Sequence, residues 1–217
     1  MIVSFRRRIM IGWAVVGAFM ALAVSGTTAF GASPPAPAPL ASGLNQGTAA
    51  AQQAQFVINL LDPYVVRVGD GTLALNPPSS VSSKVGAATM DRVRSGMAMV
   101  NGEIRAGRLV ATADHRLYDP KSNALSVQGG WTGVHWYWWG FQIFLSEYYT
   151  QKFMAALAIG AGVFALCAAI PALANQVVCG ILAALLAIFA GIVWFIDNGN
   201  GVYFTHTYWG SNWINAQ

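Results

Sequence analysis

Residues 153–196 read FMAALAIGAGVFALCAAIPALANQVVCGILAALLAIFAGIVWFI, a stretch with no Asp, Glu, Lys, Arg or His. It divides into two apolar segments, 153–170 and 177–196, around Pro171-Ala172-Leu173-Ala174-Asn175-Gln176. A helix of either length is about 30 Å long at ~1.5 Å per residue, which matches the hydrocarbon core of a bilayer. Proline is tolerated at a helix boundary, and the short break suits a reversal of direction. The reading is an antiparallel helical hairpin.

Small residues recur at helical spacing along both segments. Ala156, Gly160 and Gly162 mark the first, and Gly180, Ala184, Ala187 and Gly191 the second. Such rows let two helix backbones approach closely, which matters most in lipid, where apolar burial does not drive association. These seven positions are the expected packing seam. Cys167 and Cys179 are equidistant from Leu173, the middle of the connection. In a hairpin turning there they face each other, and an exported protein can oxidise them to a disulfide. Two buried free thiols are the alternative.

Aromatic residues crowd both flanks of the hairpin. Trp131, Trp136, Trp138, Trp139, Tyr148 and Tyr149 precede it, and Trp194, Tyr203 and Trp209 stand at its end or beyond. Trp and Tyr favour the lipid–water interface, with an apolar ring and one hydrogen-bonding edge. These nine residues form an expected interfacial collar. Val134–Leu145 and Val202–Trp209 are also aromatic and β-branched, so they read as strands that pair across the hairpin base. His135 and His206 would then be neighbours, too few to make a metal site. Asn198-Gly199-Asn200-Gly201 reads as the turn out of the second helix.

The rest of the 217-residue chain is different in kind. The whole chain is 55% hydrophobic and only 9% charged, against about 25% charged in a typical soluble domain. The formal charge of +4 includes Arg6, Arg7 and Arg8, without which 9 basic residues face 8 acidic ones. A nearly neutral body carries no electrostatic footprint for nucleic acid. Residues 1–31 have the basic, apolar and small-residue parts of a secretory signal, with an uncleaved anchor as the alternative. Residues 32–45 include Pro34-Pro35-Ala36-Pro37-Ala38-Pro39, a semi-rigid spacer. Residues 46–125 form a small α+β module. It has a helix closing at Leu61, strands 64–68 and 72–75 around Gly69-Asp70-Gly71, and a helix capped at Ser82 or Ser83 that runs through Val85, Val93, Met97, Val100 and Ile104. A strand at 109–113 completes it. His115 reads as a loop residue. The module holds no phosphate loop, nucleophile elbow or metal-ligand spacing.

The run Trp138-Trp139-Gly140-Phe141-Gln142-Ile143-Phe144-Leu145-Ser146, the Gly/Ala-rich hairpin, and Asp197-Asn198-Gly199-Asn200-Gly201-Val202 together resemble small exported proteins of Gram-positive bacteria. The resemblance spans roughly residues 60–210 and implies a hairpin like bacteriocin membrane segments, with no established activity. Asn198–Val202 also echoes a pediocin-type motif. It lacks that motif's Tyr and follows the apolar helix, so the match is coincidental.

The expectation is an α+β protein, a small module followed by an apolar hairpin (153–170, 177–196) with flanking aromatic strands, the latter unit covering 131–217. It is an exported, non-enzymatic protein without cofactor or metal. Its hairpin inserts in or associates with membrane lipid, in a bacteriocin- or pore-like manner, with self-association through the hairpin. The alternative is an envelope-anchored or secreted binding or scaffold protein, with the hairpin as anchor or buried core.

Overall fold

A computed structural model describes residues 40–121, 125–126, 129–160 and 162–217, with side chains from residue 48 onward. The expected signal segment and residues 32–39 of the expected spacer lie outside the described residues.

The first described helix, α1 (Leu40–Leu61), starts within the stretch read as spacer and ends where Pro63 begins a single 3-10 turn at Asp62–Tyr64. Strands β1 (Val65–Arg67) and β2 (Leu73–Leu75) pair as the expected antiparallel hairpin. Gly71 sits in the left-handed region at φ 84°, and the Asp70 carboxylate accepts from the Thr72 amide and hydroxyl. The single helix expected from Ser82 is in fact two, α2 (Ser79–Val85) and α3 (Ala87–Arg105). Gly86, at φ 86°, breaks the chain between them, since a left-handed residue cannot continue an α-helix. Asn101 of α3 holds β2 by bonding both the amide and the carbonyl of Leu73.

The other strands are β3 (Val110–Ala111), β4 (Arg116–Tyr118), β5 (Leu125–Ser126), β6 (Trp131–Tyr137), β7 (Gly140–Leu145), β8 (Val202–Thr207) and β9 (Asn212–Ala216). They form one sheet in the order β3-β4-β6-β7-β8-β9, with β5 beside β6. The segment read as one strand, 134–145, is a hairpin that turns at Trp138-Trp139. Two tryptophans are a poor turn signal. The indole of Trp138 is held by tertiary structure, donating to the Asp62 carboxylate. Strands β7 and β8 pair across the hairpin base as expected, with Phe141 opposite His206.

One sheet face is core. It carries Phe141, Ile143, Leu145, Val202 and Phe204, all fully buried. Onto it packs α6 (Gln176–Ile196), whose Phe189 ring lies 6.3 Å from Phe204. The apolar segment 153–170 is not one helix. It is the end of α4 (Glu147–Ala158) followed by a short α5 (Val163–Ala168). Gly160, at φ 69°, ends α4, and its amide bonds back to the Leu157 carbonyl. The class is α+β, with a C-terminal helical pair, α5 and α6. The described residues form one compact unit, in which β4, read with the 46–125 module, pairs with β6 of the 131–217 segment.

Candidate functional site

Helix α6 is two-faced although almost every residue on it is apolar. Val178, Cys179, Leu182, Leu185, Leu186, Phe189, Ile192 and Val193 are buried. The burial of each large side chain stabilises the fold by about 2 kcal/mol before entropy. The opposite face leaves Ile188 65%, Trp194 59% and Phe195 72% exposed. Ile159, just past the end of α4, is 81% exposed, and Phe164 of α5 is 47% exposed. Between α4 and α6 runs an apolar groove of about 370 Å³, lined by Gln151, Met154, Ala155, Leu157, Ala158, Ala190 and Trp194. Exposed apolar side chains beside such a groove mark a candidate interaction site.

The small residues stand on this outer surface and not at a helix–helix seam, which corrects the expectation. Gly160, Gly162, Gly180, Ala184, Ala187 and Gly191 are exposed, and Ala156 is half-buried. Helices α5 and α6 meet through larger side chains, with Val163, Cys167, Val178 and Cys179 buried between or beneath them. The reason is area: branched side chains remove more surface from water against a sheet than glycine can. The sulfurs of Cys167 and Cys179 are 2.12 Å apart, with Cα atoms at 5.5 Å, so the pair is at disulfide distance. Leu173 at the connection is 1% exposed, so the hairpin tip folds onto the body. A cavity of about 310 Å³ there is bordered by Pro171, Asn175, Trp136 and the Glu103–Arg108 ion pair.

The aromatic residues do not form a collar. Trp136, Trp138 and Trp209 are buried, while Trp131, Trp139, Tyr149 and Tyr203 are half-buried. Only Tyr148 and Trp194 of the nine are exposed. For Trp131, Trp136 and Tyr203 strand pairing is the reason: alternate residues point to opposite faces, and the outer face holds a cross-strand stack of Trp131, Phe144 and Tyr203. His135 and His206 fall on opposite faces by the same alternation, so they are not neighbours. Desolvation lowers the pKa of His206, partly offset by the Asn212 side-chain oxygen bonded to its Nδ1.

The charged groups lie at the base of the apolar surface. Glu147 opens α4, and Asp197 caps the C-terminus of α6. Lys152 donates to the Tyr148 hydroxyl and lies over that ring. Asp197 accepts from the amides of Gly199 and Gly201, ordering the expected Asn198–Gly201 turn. Its interaction with the Asp197 carboxyl holds the Glu147 carboxyl above the usual range, and desolvation adds to this. Sequence reasoning missed this pair because 50 residues separate its members and only the strand pairing brings them together.

Another groove, of about 270 Å³, lies between α3 and α6 and is bordered by Arg92, Ser95, Gly96, His206 and Tyr208. Among the described residues no cluster of three or more His, Cys, Asp or Glu side chains is placed to hold a metal. No family model, curated protein or solved structure matches the chain.

Proposed function

We propose that this is an exported, non-enzymatic protein that attaches to membrane lipid through the exposed apolar face of α4, α5 and α6. The observation that carries the reading is the exposure of five large apolar side chains, Ile159, Phe164, Ile188, Trp194 and Phe195, in a stretch without charge. Attachment along one face fits better than a spanning hairpin. Helix α6 is long and apolar enough to cross a membrane, yet its inner half is core. Spanning would strip Leu182, Leu185, Leu186 and Phe189 from the sheet. Lying in the interface plane keeps that packing and buries the outer face among acyl chains, with the α4–α6 groove open to one of them.

The test is co-sedimentation of the protein with phosphatidylcholine vesicles, with dye release measured in parallel. Binding without release is expected. Ile188→Ser with Phe195→Ser should weaken binding by about tenfold or more, from the lost apolar area. Wild-type protein left in the supernatant would exclude the lipid reading, and strong dye release would favour a pore-like mode.

A further inference from the structure

The groove between α3 and α6 holds a charge that apolar attachment leaves unused. Arg92, Ser95, Gly96 and Met99 recur at helical spacing on α3, so they share the face that forms one wall. Gly96 lets that wall close on the sheet, because a Cβ there would lie 2.2 Å from the Tyr208 ring. The opposite wall is Val177 and Ile181, in the first turns of α6. The space between is about 270 Å³.

Among the described residues lining this groove, Arg92 alone carries a charge at neutral pH. His206 bonds Asn212 through Nδ1, and desolvation lowers its pKa, so its ring is neutral there. No ion pair among the described residues uses Arg92: the nearby Asp91 pairs with Arg94, and Glu103 with Arg108. The guanidinium is nevertheless held in place, since its Nη1 donates to the Trp209 carbonyl at 3.0 Å. That partner is neutral and uses one nitrogen, which leaves the charge uncompensated and donors to spare. Ser95, exposed one turn further along α3, adds a hydroxyl. A guanidinium beside a hydroxyl suits a phosphate group. The amino-terminal end of α6, the positive end of its dipole, borders the same space.

The α6 wall leads onto the attachment face. Val177, Ile181, Ile188 and Phe195 follow one another at spacings of four, seven and seven, which places them on one stripe of the helix. Val177 is 48% exposed on that stripe, beside Ile188 and Phe195. A protein lying on lipid along it brings Arg92 to the headgroup layer.

We propose that the α3–α6 groove takes the headgroup phosphate of an anionic phospholipid, with Arg92 and Ser95 on the phosphate and Val177 and Ile181 against the lipid's apolar part. This rests on the lipid reading above and adds a lipid class to it. The choline of a zwitterionic headgroup would bring a second cation beside Arg92, which selects for a headgroup without one. Apart from Arg6, Arg7 and Arg8, 9 basic residues face 8 acidic ones. Attraction to an anionic surface therefore comes from where one arginine stands, not from the net charge of the body.

The experiment is co-sedimentation of the full chain with two kinds of vesicle, phosphatidylcholine alone and phosphatidylcholine with about one-third phosphatidylglycerol, at about 0.1 M salt to screen diffuse attraction. The wild type should bind the anionic vesicles about tenfold more tightly. Arg92→Gln should lose most of that preference and bind phosphatidylcholine as before. Ser95→Glu keeps the Arg92 bond to Trp209 and puts a carboxylate in the groove, so it should lose the preference too. Arg94→Gln removes the same charge from another side of α3 and should keep it. Arg6, Arg7 and Arg8 are common to every variant, so the differences between variants isolate the groove. Melting curves check each fold, and Ser95→Glu decides if Arg92→Gln does not melt cooperatively. Equal losses in Arg92→Gln and Arg94→Gln would overturn the groove, as would an undiminished preference in Ser95→Glu. Equal wild-type binding to both vesicles would overturn the anionic class and leave the lipid reading standing. No binding to either would overturn both. Arg92-dependent binding of soluble glycerol phosphate, without any preference between vesicles, would overturn the lipid as its source.

Discussion

At Gly201 a Cβ would stand 2.0 Å from the Leu145 carbonyl oxygen, and the residue is at φ 86°. Gly199, two positions earlier, is also left-handed, at φ 90°, but opens to empty space. The pair separates two costs that a shared residue type conceals. Gly199→Ala should lose about 1 kcal/mol, the penalty for a left-handed alanine. Gly201→Ala should lose about 3 kcal/mol or more, because backbone must also move, and denaturant melts would read both. Glu147 gives a further prediction at this scale. Its folded-state pKa is raised, so the folded chain binds protons more readily than the unfolded one. Stability is greatest below the ordinary carboxylate range and falls as pH rises to the raised value. Glu147→Gln should remove that slope. The Cys167–Cys179 pair closes a loop of 12 residues, and Cys167→Ser with Cys179→Ser should cost about 3 kcal/mol by the loop-closure argument.

Helix α6 poses a different problem. Its sequence is apolar around the whole circumference, so periodicity could not say which side would be core. The structure divides it between a face of large side chains against the sheet and a face of Gly180, Ala184, Ala187, Ile188 and Phe195 outside. Leu186→Ala should therefore cost about 2–5 kcal/mol. Ile188→Ser, on the same helix, should change stability by less than about 0.5 kcal/mol, and comparing their melting curves checks the assignment. The small-residue spacing was legible in the sequence, but its use was not. Gly160 serves to end α4 and Gly162 to start α5, a backbone role that spacing alone does not distinguish from helix packing. Asn175, in the connection between the apolar segments, caps α6 by accepting from the amides of Val177 and Val178.

Over the whole molecule, the segments on either side of residue 130 depend on each other. Asp62 anchors the Trp138 indole, Arg92 donates to the Trp209 carbonyl, and Gly96 admits the Tyr208 ring so closely that a Cβ there would lie 2.2 Å from it. Residues 131–217 expressed alone should therefore lack cooperative melting and bind a hydrophobic dye, since β6 loses its β4 neighbour and the sheet loses α1 and α3. A sharp thermal transition in that fragment would contradict this. What the sequence determined by itself was either local in the chain or symmetric about the hairpin connection: the α+β class, the β1–β2 turn, the pairing of two aromatic strands across the hairpin base, and a cysteine pair equidistant from one leucine. Each follows from periodicity, turn chemistry or symmetry about a short connection. Only the tertiary structure decided which side of α6 faces outward, that Trp136, Trp138 and Trp209 are core, and that Glu147 meets Asp197. Those outcomes depend on which surfaces compete for the same sheet, and that competition is settled by packing between segments far apart in the chain.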